Sequence, residues 1–373
     1  MLFLGLSLGY LLGILTTFYA LFLTVDRFLI PAIYVLKDRL RLTDDQTGAL
    51  TSFVSSAPEL SVSLISLLLA IRAEDAAQFR EIAALGPSAV IGSALFSVLF
   101  IVGAASWYST KTLTWHSITR DMGYYIFAVL VLFFCLQDTL ITWIEATVLL
   151  ALYLVYVGLV ARWPQITRLL KLHRKTPEPA PALDSSAPAS VPPQDLPTRL
   201  LSKLFFGLTG EFKAGKITWN LLFSTVLVVV SSYYMVELSQ KLALLWSVPP
   251  AIIGLTILAA GTSVPDLLAS LKTAREGYGN TAVTNAVGSN VFDVLGNLGL
   301  TWLIASVFTG LRNIEVETNN LNGSILLLIA SSAALLAVLF AQKFRLGKPV
   351  AALLMGAYVL SVVFLSYRAL SGG

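Results

Sequence analysis

Ten apolar runs set the limits on what this chain can become. Five precede a proline-rich stretch: Leu2–Leu23, Leu50–Ile71, Leu85–Ser106, Met122–Leu136 and Leu140–Val160. Five follow it: Trp219–Leu238, Pro250–Leu271, Thr281–Phe308, Leu321–Phe340 and Val350–Leu365. A helix needs about 20 mostly apolar residues to cross a bilayer. Only 12% of the 373 residues are charged and mean hydropathy is +0.79, whereas soluble domains carry about 25% charged residues. A water-soluble globule is excluded on that ground. The expected fold is an all-α integral membrane protein with ten transmembrane helices. The first run is expected to continue as helix past Asp26 towards Leu36, and the short fourth run to extend at either end. Leu2 to Val25 has no basic residues before it and reads as a retained membrane helix rather than a secretion signal.

Between the halves, Thr176–Arg199 contains Pro177, Pro179, Pro181, Pro188, Pro192, Pro193 and Pro197. So much proline among Ala and Ser makes an extended linker with no core of its own. The expected division is residues 1–170 as a first five-helix repeat, 171–216 as linker and 217–373 as a second repeat. Lys and Arg placement tests the count. Alternating the connections puts 19 basic residues on the linker side, from Lys37, Arg39 and Arg41 to Lys343, Arg345 and Lys348. This tally includes Arg120 as part of a connection. The opposite side holds Arg72, Arg80, Lys241, Arg312 and Arg368, and Arg27 lies within a span. Such asymmetry makes the linker side cytoplasmic and puts both termini opposite. A repeated unit of five spans must insert in opposite orientations, so the halves are expected to be inverted repeats.

The halves do share a motif. Ser55-Ser56-Ala57-Pro58-Glu59-Leu60 matches Thr262-Ser263-Val264-Pro265-Asp266-Leu267. Gly92-Ser93-Ala94-Leu95-Phe96-Ser97 matches Gly288-Ser289-Asn290-Val291-Phe292-Asp293. Glu59 to Gly92 is 33 positions and Asp266 to Gly288 is 22, so the first half carries 11 more. The excess falls in the polar stretch Arg72–Ala84, where loop insertion costs little.

Glu59 and Asp266 sit deep in apolar runs, each directly after a proline. An acid at a helix centre costs about 2.5–3.5 kcal/mol on insertion scales, so something must offset it. Proline removes one backbone hydrogen bond and frees a carbonyl. Freed carbonyls plus a carboxylate make an oxygen-lined cation site. Calcium takes six to eight oxygens and needs no sulfur or nitrogen. Ser52, Ser56, Glu59, Ser63 and Ser66 fall on one helical face, as do Ser263, Asp266, Ser270 and Thr273. Asn285, Ser289, Asp293 and Asn297 step by four, as do Ser93 and Ser97. The four stripes fit one shared cavity. Asp293 supplies a third buried charge where the first half has neutral Ser97. Together Glu59, Asp266 and Asp293 carry −3, which Ca²⁺ with one monovalent cation would balance, or several Na⁺ in turn. An empty, fully ionised site is costly to reorient and a filled one is not, which is a physical rationale for exchange.

These residues resemble the cation/calcium exchanger superfamily, and most of all the potassium-dependent sodium/calcium exchangers. Gly254–Leu300, with GLTILAAGTSVPDLLASL and VGSNVFDVLG, is similar to that family's second repeat. Thr24–Leu64, with TVDRFLIPAIYVLKDRLRLTDD and SSAPEL, is similar to its first span and first repeat, and LTWHSITRDMGYY to the segment before its fourth span. The resemblance implies that Glu59 and Asp266 are paired calcium ligands, with Ser56 and Ser263 as neighbouring oxygen donors. It places Asn290 in the same cavity and makes Asp293 the acid of potassium dependence. Thr262, Ser289, Ser55, Ser93 and Ser97 complete the candidate metal-binding set. The implied activity is secondary exchange of Ca²⁺, with K⁺, for Na⁺ by alternating access; a cation/proton or other divalent antiporter is the alternative. Two departures from the family pattern matter. Val54 replaces a glycine, adding bulk where helices approach, and Ser97 replaces an asparagine, removing an amide ligand. Asn297 also differs from the family's usual residue.

No cofactor and no enzymatic activity are expected. Partners are the bilayer and inorganic cations; a net charge of +4 gives no case for nucleic acid, and no obligate protein partner is evident. Cys135 alone forms no intrachain disulfide. His116 and His173 are assigned to connecting segments, and neither is placed for the constellation within the spans that a hydrolase would want. Gly210–Lys216 resembles a phosphate loop, but Ile217 stands where Ser or Thr would hold magnesium. Asp26–Arg27 reads as a local pair. Gly5, Gly9 and Gly13 read as a helix-packing stripe. Glu145 and Glu237 are expected to reach water, and Trp107, Tyr108 and Trp115 to lie in the interface belt.

Overall fold

A computed structural model describes residues 2–29, 32, 55–108, 113, 115–169, 203, 217–275, 277, 279–310 and 312–370. The predicted continuation past Asp26 is present as π-helix over Val25–Leu29; most of the remainder towards Leu36, and Val54, Ser52, His173, the proline-rich linker and Gly210–Lys216 lie outside the described residues. So do the side chains of Asp26 and Arg27.

The helices follow the apolar runs. In the first half they are α1 (Leu2–Thr24), α2 (Ala57–Ala70), α3 (Ala76–Ala83), α4 (Leu85–Leu95), α5 (Val102–Tyr108), α6 (Trp115–Cys135) and α7 (Trp143–Leu169). In the second they are α8 (Ile217–Trp246), α9 (Pro250–Ile253), α10 (Ala259–Thr262), α11 (Val264–Arg275), α12 (Gly279–Val291), α13 (Leu298–Thr309), α14 (Asn319–Ala341) and α15 (Lys348–Leu370). Among the described residues, nine helices are long and apolar enough to cross a membrane, and Ala57–Ala70 is a shorter apolar helix. Nine of the expected spans thus appear at spanning length among the described residues, and the second appears there only as the shorter helix Ala57–Ala70. The fourth extends towards its N-terminus, to Trp115. That extension takes His116 and Arg120 into α6, correcting their assignment to a connection.

Lipid-facing surfaces remain apolar, as an environment without water requires: Leu4, Phe308 and Leu360 are 74%, 80% and 70% exposed. α1 packs against α8, α5 against α15, and α6 against α12 and α14. The packing stripe expected of the N-terminal glycines is only partly present. A Cβ at Gly13 would press on Leu238 at 2.8 Å, whereas Gly5 and Gly9 face nothing within 4 Å.

Ends and connections follow local chemistry. Thr142 and Glu145 form a reciprocal cap on α7: the Glu145 carboxylate accepts from Thr142 N at 2.8 Å, and Thr142 Oγ1 accepts from Glu145 N at 3.2 Å. Glu145 therefore serves its own helix. Glu237 pairs with Lys241 at 2.7 Å on an exposed face. The 11-residue excess of the first half folds into α3, whose N-cap Asp75 accepts from Gln78 N at 2.7 Å. The all-α expectation needs one amendment. β1 (Leu140–Thr142) pairs antiparallel with β2 (Asn313–Glu315), with Ile141 opposite Ile314. α3 leans on this ladder, since Glu317 N donates to the Arg80 carbonyl at 3.3 Å and Arg80 meets Glu315 at 3.6 Å.

Besides the π-helical end of the first helix at Val25–Leu29, π-helical turns interrupt the second half of α4–α5, the start of the Pro250 helix and the α12–α13 helix, at Phe96–Ile101, Gly254–Leu258 and Phe292–Asn297. Such turns recur at functional sites. Two of them begin at the phenylalanines of the matching Gly-Ser motifs.

Candidate functional site

The site is built from two broken helices and the π-helical turns that face them. Ser56 has φ −86° and ψ 8°, and Ser263 has φ −85° and ψ 0°. Each serine thus stands at a helical break in the same backbone conformation, with proline two residues on and the acid three residues on. Leu60 N donates to the Ser56 carbonyl and Leu267 N to the Ser263 carbonyl, both at 3.0 Å. Pro265 has no N–H to offer the Gly261 carbonyl, so the break exposes backbone oxygen at the acid's own helix start.

Glycines bring the backbones together. A Cβ at Gly92 would strike the Leu255 carbonyl, and one at Gly254 the Ser88 hydroxyl. α4 and the π-helical turn at Gly254–Leu258 therefore cross in direct backbone contact. The crossing sets Ser93 Oγ 2.6 Å from Ser263 Oγ. Ser263 donates to the Ala259 carbonyl at 2.8 Å, so Ser93 is the donor of the pair. Gly261 is fixed by Phe18, whose ring occupies the space a side chain would need.

Three carboxylates lie inside this frame. Glu59, Asp266 and Asp293 are 2%, 4% and 1% exposed. Glu59 is within electrostatic reach of both Asp293 and Asp266. Ser55 and Ser289 lie beside Asp266, although the Ser289 hydroxyl donates to the Ala286 carbonyl at 3.3 Å. Ser56 lies beside Asp293, and Thr262 beside Glu59, although the Thr262 hydroxyl donates to the Ala259 carbonyl at 3.3 Å. Among the described residues, both Glu59 oxygens, Asp293 Oδ1, the hydroxyls of Ser56, Ser63 and Ser97 and both amide atoms of Asn290 have no hydrogen-bond partner. Buried polar groups are ordinarily satisfied, and an orphan costs about 1–3 kcal/mol. So many orphaned oxygens in one place make an acceptor-rich pocket suited to a cation. No group of three or more His, Cys, Asp or Glu side chains among the described residues is arranged around one metal position. A cation held here would have to draw on hydroxyl, amide and backbone oxygens as well as the acids, as a hard cation accepts.

Every expected ligand that is described is buried or half-buried: Ser55, Ser56, Glu59, Ser93, Ser97, Thr262, Ser263, Asp266, Ser289, Asn290 and Asp293. The stripes are imperfect at their ends. Thr273 is half-buried and turns its hydroxyl to the Ala269 carbonyl at 2.9 Å, and Asn285 is half-buried too. Ser97 and Asp293, the pair of the motif that differs in charge, both lie in π-helical turns.

Sequence reasoning missed two groups. Tyr125 of α6 is 0% exposed and, like Tyr153 of α7, lies within electrostatic reach of Asp293. Nothing in an apolar run distinguishes such a tyrosine from core. The second group is an ion pair inside the membrane span. Arg120 Nε and Nη2 donate to the two Asp121 oxygens at 2.7 and 3.0 Å. Tyr156 donates to Asp121 at 3.1 Å, and Arg120 stacks over Trp163 at 4.9 Å. Asp121 was legible as an acid within a helix but escaped notice because the fourth span was drawn from Met122.

The sodium/calcium exchanger protein family matches this chain at residues 10–162 and again at 216–367. Sodium/potassium/calcium exchanger 4 of Mus musculus is 25% identical, over 97% of this chain and 81% of that protein. Sodium/potassium/calcium exchanger 1 of Bos taurus is 37% identical over 150 residues, which is 40% of this chain and 11% of that protein. Among solved structures, the sodium-calcium exchanger NCX_Mj soaked with 10 mM Na⁺ and 10 mM Sr²⁺ superposes with a TM-score of 0.53 at 19% identity, over 96% of this chain and 98% of that one. Native YfkE gives 0.59 at 17% identity, over 96% and 91%. These superpositions show a shared fold, and the family match spans both helical halves. The chain therefore belongs to the sodium/calcium exchanger protein family, as a multi-pass membrane transporter of inorganic cations most like the sodium/potassium/calcium exchangers.

Proposed function

We propose that the protein is a secondary antiporter that exchanges Ca²⁺, together with K⁺, for Na⁺. The observation that carries this reading is the convergence of Glu59, Asp266 and Asp293 with a surplus of orphaned oxygens inside apolar helices. Glu59 and Asp266 are the calcium ligands, with Ser56 and Ser263 beside them; Asp293 holds the monovalent cation. Thr262, Ser289, Ser55, Ser93, Ser97 and Asn290 line the same cavity. Three buried negative charges oppose reorientation of the empty site, and cation binding removes the opposition. That asymmetry couples one ion to the other.

Alternating access around this midplane site follows from ten spans arranged as two inverted five-helix repeats, residues 1–170 and 217–373, joined by a cytoplasmic linker at 171–216. Both termini then face the opposite side. Support comes from the twofold family match, the equal backbone angles at Ser56 and Ser263, and the paired π-helical turns at Phe96 and Phe292. The test is reconstitution into vesicles with radioactive calcium outside and Na⁺, K⁺ or H⁺ exchanged in turn inside. Uptake driven by internal Na⁺ and raised by external K⁺ is expected. Uptake driven by internal H⁺ alone would replace this reading with cation/proton antiport.

A further inference from the structure

We infer that Tyr156, held by the Arg120–Asp121 ion pair, is a positioning residue of the cation site: its hydroxyl closes over α12 at Gly288 and fixes the segment that presents Ser289, Asn290 and Asp293. The proposal rests on the functional reading given above only in taking those three residues to line a cation site.

α7 runs along the α12–α13 segment and meets it at glycines. A Cβ at Gly299 would come 2.9 Å from Leu150 N and 3.0 Å from the Ala146 carbonyl oxygen. One at Gly296 would come 3.2 Å from the Tyr153 ring, and that ring meets Phe292 edge-on with 5.1 Å between centroids. At Gly288 the nearest group is the Tyr156 hydroxyl, 3.5 Å from where a Cβ would lie. Ser289, Asn290 and Asp293 fall between Gly288 and Gly296 in the chain. Asp293 stands in a π-helical turn. Such a turn departs from regular helical bonding, so what packs against it sets the direction of its side chains. The contacts at Gly299 and Gly296 are backbone and ring packing. The one at Gly288 depends on a hydroxyl, and a hydroxyl has to be aimed.

Asp121 does the aiming. Tyr156 donates to its Oδ1 at 3.1 Å. Arg120 grips both carboxylate oxygens, Nε to Oδ1 at 2.7 Å and Nη2 to Oδ2 at 3.0 Å, and this fork fixes the plane of the carboxylate. Arg120 is itself stacked over Trp163 at 4.9 Å. Trp163 and Tyr156 both belong to α7. The chain of contacts therefore leaves α7 at Trp163, crosses α6 through the ion pair and returns to α7 at Tyr156. Asp121 is buried within a membrane-spanning helix. A buried ion pair holds a fold no better than apolar residues of equal volume, and ionisable groups within spans mark functional positions. The geometry gives this pair such a position, since it orients the one polar group that α7 turns towards the Gly-Ser motif of α12.

The experiment measures cation binding apart from transport. Thermal unfolding of the full-length protein in detergent is followed while Ca²⁺ or K⁺ is titrated, because a ligand that binds the folded state raises the midpoint. Tyr156→Phe keeps the ring and removes the hydroxyl. It is expected to raise the half-saturating concentration of both cations by about three- to tenfold. Arg120→Met with Asp121→Leu removes the acceptor instead and is expected to give the same shift; it is the variant to rely on should Tyr156→Phe fail to fold. Adding Tyr156→Phe to that double variant is expected to change nothing further. Tyr124→Phe is the control for packing alone, since Tyr124 also ties α6 to α7, donating to the Leu152 carbonyl at 2.7 Å. It is expected to lower the cation-free midpoint while leaving both titrations unchanged. Unchanged titrations in Tyr156→Phe, an equal shift in Tyr124→Phe, or full additivity with the double variant would overturn the proposal. A wild-type protein whose midpoint does not respond to either cation would remove the site and this assignment with it. Failure of the vesicle assay with intact cation titrations would instead sink the exchange reading and leave this assignment standing.

Discussion

Ser93 and Ser263, 170 residues apart in sequence, bring their hydroxyls to 2.6 Å inside the membrane-spanning part of the protein. The contact joins α4 of the first half to the break in the second. It exists because Gly92 lets α4 touch the Leu255 carbonyl, one step from the serine. Ser93 gives its proton to Ser263, and Ser263 passes its own to Ala259. The oxygens of both serines are thereby oriented before any ion arrives.

This chain of donors predicts coupling. Ser93→Ala and Ser263→Ala, alone and together, are compared by thermal unfolding in detergent. The interaction energy is expected to be about 0.5–1.5 kcal/mol, the worth of one neutral hydrogen bond. Strict additivity would show that the two hydroxyls do not meet.

Asp266→Asn tests the role of the acid itself. Sodium-driven calcium uptake is expected to fall to background. The protein should meanwhile unfold at an equal or higher temperature in cation-free buffer, since an amide is cheaper to bury than a carboxylate. The Ca²⁺-induced rise in midpoint should vanish. Normal uptake would remove Asp266 from the site, and a large loss of stability would make its role structural.

Close packing at the crossing gives a contrast between glycines. Gly92→Val places methyl groups onto the Leu255 backbone and is expected to cost about 1–3 kcal/mol or more. Gly5→Ala and Gly9→Ala meet open space and should leave the unfolding midpoint unchanged or slightly raised. Equal effects at all three positions would contradict the packing described.

The Arg120–Asp121 pair predicts a non-additive result. Asp121→Ala strands a buried guanidinium and should cost about 3–5 kcal/mol, whereas Arg120→Met with Asp121→Leu should cost less than either single removal. Unfolding midpoints of the three proteins decide it. A double variant as unstable as Asp121→Ala would mean that the pair is not a self-contained unit.

The contrast between Asp266 and Tyr125 explains how much of the site could be read from sequence. An acid inside an apolar run is conspicuous because hydrocarbon penalises charge, so Glu59, Asp266 and Asp293 announced themselves. A tyrosine in the same run is ordinary core to any hydropathy argument, and only its place beside Asp293 sets it apart. The spans were legible for the same reason as the acids. α6 was drawn too short because His116, Arg120 and Asp121 count as polar, while the bidentate pair lets the last two be buried. Gly5 and Gly9 show the reverse error, since their spacing suggests a seam that they do not make. β1 and β2 are too brief for any periodicity, and their pairing depends on residues 171 to 175 positions apart meeting in space.

That small ladder has a mechanical consequence. Leu140–Thr142 precedes the linker and Asn313–Glu315 follows it, yet they are bonded strand to strand, reinforced by Trp143 N to the Arg312 carbonyl at 3.2 Å and Val316 N to the Thr139 carbonyl at 2.9 Å. Helices α7 and α13 are thus pinned together at one end. They can swing about that fulcrum but cannot part there, so any widening between them grows with distance from the ladder.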